Sequence, residues 1–420
     1  EFITDQMVTE QALMNAYKAT PLGPDSFEFE VHREWYLREL RERINDRTFE
    51  PTTYTFITEV PRPREVIACD AGTRTNDHYI DQRLRPILEK EMTNRTFNNR
   101  IGFGPDAAIN QVIEDVYNAS CGFTRDCWVI KYDLSGYFPH AIRQTAYEQL
   151  TDAVQRNYHE DDKDDLLYLI RQAVLSDPLE RCERRSPKSK WQLIPPDKSI
   201  FNMEPGIGAS IGRLIWQNGM NYYLNDLDHW AVDEMKLLYT RFVDDTVIVT
   251  PNKEAVLALF PEIRRRLAEK GCRMHPHKFV CQHWSKGFEF VGRHVKVDRV
   301  YVNNRILFRA EKRIRELNYC PRPEKVETFQ QCLNSYIGQC KTCNGYARIK
   351  DLLDKINPEW WNYTKFNEDR LCIQALPGYG HRERIEAKYH IKPSSHDRRK
   401  RHQRNASLDH QARKQPPRHK

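Results

Sequence analysis

One stretch constrains this chain more than any other: Leu237 to Thr250, LLYTRFVDDTVIVT. Two β-rich runs, LLYTRFV and TVIVT, flank the adjacent acids Asp244 and Asp245, a pattern that predicts a tight hairpin with both carboxylates at its tip. Asp is a common turn residue, so the pair admits a purely conformational role. Two acids held between apolar strands also suit a divalent cation. A third acid, a phosphate-binding surface and a nucleic-acid channel elsewhere in the chain would favour the second role.

The third acid is Asp133. The run WVIKYDL reads as a buried strand that delivers it to the C-terminal end, where α/β proteins place catalytic groups. Ser135-Gly136 break the strand and a helix resumes near His140, so capping of that helix is the competing role for Asp133. In chain order there come next a glycine loop with a helix and then the hairpin of Asp244 and Asp245. This split β-α-β pattern brings a strand end and a hairpin tip together on one sheet. Three carboxylates so placed suit two Mg²⁺ ions about 4 Å apart, one activating a hydroxyl and one stabilising a leaving pyrophosphate. That chemistry is nucleotidyl transfer.

The remaining segments supply candidate anion and base contacts. Helices are predicted within 8–50, a loop over Thr20 to Ser26 and a β stretch over Thr53 to Val60. Pro61 to Ile67 reads as a stiff extended segment presenting Arg62 and Arg64. Arg74, Arg83 and Arg85 suit a triphosphate or phosphate backbone, with salt bridges to nearby acids as the alternative. Arg100 to Pro105 carries two glycines before a helix. From Glu180 to Ser199 the chain is basic and irregular, a long surface connection whose Lys188, Lys190 and Trp191 suit nucleic acid by charge and stacking. Gly206 to Gly212 leads into a helix over residues 213–235, on which Gln217 and Asn221 share a face and can offer amides to a base or backbone. A helix is expected over Lys253 to Lys270, a strand over Gly287 to Val295, and a hairpin turning at Asn303-Asn304. Residues 309–375 read as helical with a break at Pro321 to Pro323.

At 420 residues the chain is long enough for two or three subdomains. Its net charge of +7 is concentrated at the end, where the stretch from Arg382 carries thirteen Lys and Arg against four Asp and Glu. A basic arm of this kind, with Arg398, Arg399, Lys400 and Arg401 at its centre, usually meets nucleic acid, and a solubilising tail is the bland alternative. No run approaches the roughly 18 apolar residues of a membrane span and no secretory signal opens the chain. The eleven cysteines are scattered, as in a reduced, cytoplasmic protein. Cys340 and Cys343 have ligand-like spacing but no second pair, so they are expected to be buried thiols.

Several ordered motifs from about residue 10 to about residue 355 give the chain a resemblance to the reverse transcriptases of bacterial retroelements. Arg64-Glu-Val-Ile67, Arg74 and His78 look like the fingers segments that meet triphosphate and template. Asp133 with Tyr137-Phe138 is similar to the motif that supplies one metal-binding Asp and, five residues on, the aromatic gate against a ribose 2′-hydroxyl. Phe138 therefore implies dNTP substrates. Ile211 to Gln217 and Asn221 to Asp228 look like the template-positioning motif, and Phe242-Val-Asp-Asp245 stands where the family carries Tyr-x-Asp-Asp. His275 to Lys278 matches the segment whose lysine acts as general acid, Phe290-Val-Gly292 resembles the primer grip, and Asn334 to Gly338 with Asn344 to Tyr346 look like a thumb. Ser210, Ile211 and Trp216 replace the expected Pro, Gln and Ser, and Phe242 replaces Tyr.

The resemblance implies an α+β right-hand polymerase with fingers, a ferredoxin-like palm, a helical thumb and a basic tail. Their boundaries are expected at residues 1–125, 126–300 with an insertion at 180–200, 301–375 and 376–420. Asp133, Asp244 and Asp245 are expected to bind two Mg²⁺, with Lys278 catalytic, and Arg64, Arg74, Phe138 and Gln217 to meet dNTP. Gly212, Asn221, Phe242, Phe290 and Gly292, with Lys188, Lys190 and the arm, are expected along the nucleic acid. The implied function is RNA-directed synthesis of cDNA, in the manner of the divergent enzymes of antiphage defence. A diversity-generating enzyme, template-independent synthesis and a non-polymerising scaffold stand as alternatives. A structured non-coding RNA and a DNA product are the expected partners, with room for a homo-oligomer or an accessory protein.

Overall fold

In the computed structural model, the described residues are 8–21, 26–58, 63–296, 298–343 and 345–379. Arg62, Asn344 and the arm with Arg398, Arg399, Lys400 and Arg401 lie outside them. The chain forms two compact units: residues up to Val291 together with Val295–Asp298, and Gly292–His294 together with everything from Arg299 onward.

The first unit opens with three helices, α1 (Glu10–Ala19), α2 (Phe27–Val31) and α3 (Arg33–Asn45). Thr9 caps α1 by accepting from Ala12 N, and Leu37, Leu40 and Ile44, spaced three and four apart, turn one face of α3 into the core. Strands β1 (Thr53–Thr58) and β2 (Arg64–Cys69) then pair antiparallel. The expected stiff extended segment is thus half of a hairpin. Proline, which cannot donate, stops at Pro63, so every residue from Arg64 onward has an N–H for the ladder. Helix α4 (Ala71–Glu91) is capped by Asp70, and α5 (Pro105–Ala119) begins on a proline, whose missing N–H is no loss at a first helical position.

The central element is β3 (Trp128–Ser135). After it come α6 (Arg143–Asn157), α7 (Lys163–Leu175), β4 (Cys182–Arg184) and the single turn α8 (Lys188–Trp191). The helix expected over residues 213–235 is broken into α9 (Leu214–Tyr222), α10 (Asn225–His229) and a π-helical turn over Trp230–Glu234. Strands β5 (Leu238–Phe242) and β6 (Asp245–Thr250) form the hairpin. Helices α11 (Lys253–Leu257) and α12 (Phe260–Glu269) lead to β7 (Arg273–Met274), β8 (Val280–His283) and β9 (Phe288–Phe290).

The main sheet runs β5-β6-β3, with β7 and β8 sharing the far edge of β3, and every pair is antiparallel. This is the strand order of a split β-α-β-β-α-β unit. Alternation along the strands assigns the faces. Ile130, Tyr132 and Leu134 on β3, with Tyr239 and Ile248, point into the apolar core shared with Leu150, Met220 and Ile263. Each such fully buried side chain contributes about 1.5–3 kcal/mol of transfer free energy. Lys131, Asp133 and, across the ladder, Asp245 therefore share the opposite face, where α5 packs against β5 and β6.

The stretch from Glu180 to Ser199 corrects the expectation of an open connection. Strand β4 pairs parallel with β1, and Glu65 on β2, only 7% exposed, anchors the chain beyond β4. Its carboxylate accepts from Trp191 Nε1 (3.2 Å), Ser199 Oγ (2.6 Å) and Ile200 N (2.8 Å). Arg184 lies 3.9 Å above the Phe201 ring. A buried carboxylate needs such donors, and they tie the segment down.

The second unit contains β11 (Val300–Val302), α13 (Asn304–Asn318), α14 (Val326–Lys341) and α15 (Tyr346–Leu353); the short β10 (Arg293–Val295) lies where the chain passes between units. Asn303 does not turn a hairpin: its side chain accepts from Arg305 N and caps α13. Nor is 309–375 helical to its end, since β12 (Thr364–Asn367) and β13 (Cys372–Ala375) form a hairpin. Asn334 pins it, exchanging hydrogen bonds of 2.9 and 2.7 Å with the backbone of Ile373. Trp360 stacks on Phe329 at 4.1 Å inside a separate apolar core that includes Cys340 and Cys343.

Candidate active site

The hairpin is tighter than its sequence suggests. Phe242 pairs with Asp245, which leaves Val243-Asp244 as a two-residue loop. Asp244 is thus the tip and Asp245 the first residue of β6. Val243 has φ of +60°, a conformation costly for a β-branched residue, and it is held there from outside. Arg241 Nη1 donates to Val243 O at 3.0 Å, and Leu134 N on β3 donates to Asp244 O at 3.2 Å.

Arg241 is itself a buried anchor. With no exposure of either side chain, it pairs with Asp228, which also accepts from Tyr239 Oη (2.8 Å) and Thr96 Oγ1 (3.1 Å). A second buried pair, Arg213 with Asp77 (Nη2–Oδ1, 2.6 Å), fixes the end of the glycine loop to α4. Neither pair carries a sequence signature, because nothing local announces that an Arg will be buried.

Register does the remaining assembly. Asp133 stands directly opposite Asp245 in the β3–β6 ladder, so the three acids meet at one place. Lys278, on the turn after β7, reaches Asp133 Oδ2 at 2.8 Å, and Lys131 Nζ stands 3.0 Å from Asp245 Oδ1. The backbone N–H of Val291 lies 3.4 Å from Asp245 Oδ2. Burial first, then the charges of Asp133 and Asp245, push Asp244 up to about 6. Asp245 is likewise raised by burial, against the opposing pull of Lys131.

Among the described residues no group of three His, Cys, Asp or Glu is spaced as a finished metal cage. Two of the three carboxylates are instead engaged by ammonium groups. The donor set nonetheless suits a hard divalent cation: half-buried carboxylate oxygens, with the charge of Asp133 close enough to raise the proton affinity of Asp244 and Asp245, and no thiol or imidazole among them.

The other expected residues divide. Phe138 is half-buried beside Tyr137 (5.8 Å, ring planes at 82°), whose hydroxyl donates to Met220 O at 2.6 Å. The Phe138 carbonyl accepts from Ala209 N at 2.8 Å, so the glycine loop sets the position of the aromatic. A Cβ on Gly208 would lie 2.5 Å from Ile200, and one on Gly212 would lie 2.9 Å from Ile67 O. Gly212 is thus required by its approach to β2. Arg64 and Gln217 are exposed, as is Lys188, while Lys190 is half-buried and Phe242 partly so. Arg74 donates to the carbonyls of Pro21 and Cys69, both at 3.0 Å. Arg83 is committed to Asp162 and Arg85 to Asp81. Gly292, in the second unit, has φ of +74°.

Two expected nucleic-acid contacts are corrected. Asn221, 2% exposed, does not share an open face with Gln217; its amide donates to Asn98 O at 2.6 Å inside the unit. Phe290 is fully buried, so only its backbone is available to a ligand. In both cases the spacing is compatible with either face, and packing chooses the inner one. Trp191 is half-buried and its indole N–H is engaged by Glu65, which fixes the ring in the fold.

The family model "Reverse transcriptase (RNA-dependent DNA polymerase)" matches residues 64–295, more than half of the chain. The chain belongs to the reverse transcriptase family, and the matched segment is a nucleotidyltransferase domain of that class, an RNA-directed DNA polymerase domain. No curated protein matches the chain. Among solved structures it is similar to apo telomerase from Candida Tropicalis, at 10% identity and a TM-score of 0.44, over 73% of this chain and 62% of that one. It is also similar to telomerase from Candida albicans in complex with a TWJ fragment of telomeric RNA, at 11% identity and a TM-score of 0.42, over 76% and 58%. The chain spans about three fifths of the length of those structures. No helix among the described residues is long and apolar enough to cross a membrane.

Proposed function

We propose that this protein copies RNA into cDNA by nucleotidyl transfer at Asp133, Asp244 and Asp245. The observation that carries the reading is the direct opposition of Asp133 and Asp245 across the ladder, with Asp244 in the adjoining turn and Lys278 on Asp133, all inside the matched segment. When bound, Mg²⁺ held by these carboxylates supplies an activated hydroxyl and neutralises charge on a leaving pyrophosphate. The chain's own groups do the rest. Phe138, backed by Tyr137 and the glycine loop, presents an aromatic wall that a ribose 2′-hydroxyl would strike, which favours dNTPs. Arg64 offers an exposed guanidinium to the triphosphate. Lys278 is 45% exposed and sits on a turn, so it can leave Asp133 and donate a proton to the departing phosphate.

In this reading the split sheet is a palm, the β1–β2 hairpin with its helices is fingers, and the second unit is a thumb. The changes at Ser210, Ile211 and Trp216 favour a divergent enzyme of the antiphage-defence type over a diversity-generating one. Trp216 is buried in the core of the first unit, and Ile211 O accepts from Ile67 N on β2, so these two positions are tied into the fold. The basic arm favours a structured RNA as partner.

Purified protein carrying Asp244→Ala and Asp245→Ala should lose dNTP incorporation on a primed RNA template while keeping its circular dichroism spectrum. Wild-type synthesis by that variant would sink the assignment. Sequencing the cDNA made in cells tests the biological setting, because the product reports its template.

A further inference from the structure

The lysine on β3 has no part in the chemistry of nucleotidyl transfer proposed above. Lys131 lies two residues before Asp133, so strand alternation turns it to the same face, and its register partners are Val247 on β6 and Val280 on β8. Its side chain is 18% exposed and stands 3.0 Å from Asp245, itself 17% exposed. Lys278 differs on every count: it is 45% exposed, it comes from a turn, and it can swing into water. Lys131 is rooted in the central strand between buried Val247 and the more exposed Val280, and its 18% exposed side chain would give up its carboxylate partner on leaving Asp245.

We infer that Lys131 is a fixed internal counter-ion of the acidic site, which lowers the affinity of that site for divalent cations and directs them to the far oxygen of Asp245. The inference rests on the proposed metal-binding reading of the three acids. Three carboxylates and two ammonium groups leave a net charge near −1, so the metal-free site is nearly neutral. A cation that displaces Lys278 still meets the charge of Lys131. Lys131 faces Oδ1, while among the described residues Oδ2 is met by the N–H of Val291 at 3.4 Å, a long contact that leaves lone-pair capacity for a ligand. Lys131 is thus a positioning residue: it sets which oxygen is offered and how tightly the ion is held. An ion held loosely enough to exchange suits a site that must release pyrophosphate with its cation at every cycle.

The test is direct Mn²⁺ binding to the full chain, read by electron paramagnetic resonance without nucleotide, so that it does not depend on activity. Lys131→Met should bind Mn²⁺ at least tenfold more tightly than wild type, and Lys131→Arg, which keeps the charge, should stay within about threefold of it. Equal or weaker binding by Lys131→Met overturns the inference. If Lys131→Met is unfolded without metal, the melting temperature is followed across a Mn²⁺ titration instead. The variant must then gain more than wild type does, and an equal gain overturns the inference. Absence of Mn²⁺ binding by wild type would be a failure of the metal reading itself. Wild-type binding that is lost in Asp244→Ala/Asp245→Ala but not tightened in Lys131→Met would be a failure of this inference alone.

Discussion

The buried pair of Arg241 and Asp228 makes the sharpest claim about how the site is held, and Arg241→Met tests it. The substitution leaves a wholly buried carboxylate with two of its donors gone and, among the described residues, Tyr239 and Thr96 remaining. It also removes the donor to Asn221 O (2.7 Å) and the one to Val243 O (3.0 Å) that holds the strained residue of the turn. Stripping one partner from a buried pair costs about 3–5 kcal/mol. For a unit of roughly 290 residues, unfolding entropy of about 2.1 cal/mol/K per residue converts 4 kcal/mol into a melting-point drop of roughly 6–7 °C. Differential scanning calorimetry of wild type, Arg241→Met and Arg241→Met/Asp228→Asn measures it. The double variant removes the stranded charge while keeping an acceptor, and should recover at least half of the loss. A drop below about 2 °C in the single variant, or no recovery in the double, would refute the claim that this pair supports the hairpin.

Two other regions yield outcomes of their own. Asp244 titrates near 6 in the fold against an ordinary value of 3.8, so the native protein holds more protons between those values and its metal-free stability falls as pH rises through about 4 to 6. Asp244→Asn should flatten that slope in melting curves taken with chelator, leaving the contribution of Asp245 in the same direction; an unchanged slope would count against the crowding. Glu65→Ala should leave Trp191 Nε1, Ser199 Oγ and Ile200 N without their acceptor, at about 1–3 kcal/mol for each buried group. Amide hydrogen exchange across residues 190–200 should accelerate at least tenfold, and unchanged protection would show that the segment is held by something else.

The sheet and its acids are legible because they are written locally. Strand-type runs, an acid at a strand end and a two-acid turn are all short-range signals, and their order along the chain points to a strand end and a hairpin tip on one sheet, as found. The features that stay hidden are set by contacts distant in sequence. The amide of Asn221 is spent on Asn98, and Glu65 organises residues more than a hundred positions away. Asn303 is ambiguous for a different reason, since the same residue turns hairpins and caps helices and only the succeeding residues decide. Lys131 is silent in the sequence because alternation predicts which face it takes but not that a carboxylate waits across the ladder.

The opposition of Asp133 and Asp245 also bears on how such a chain can change over evolutionary time. Their proximity is a property of strand alignment, so inserting or deleting one residue within β3 or β6 would turn one acid to the far side of the sheet rather than move it by a fraction. Length variation in those two strands is therefore all or nothing. The stretches between sheet elements, such as that between β3 and β5, carry no such constraint: there the lineage could gain β4, α8 and the Glu65-anchored segment without disturbing the spacing of the acids.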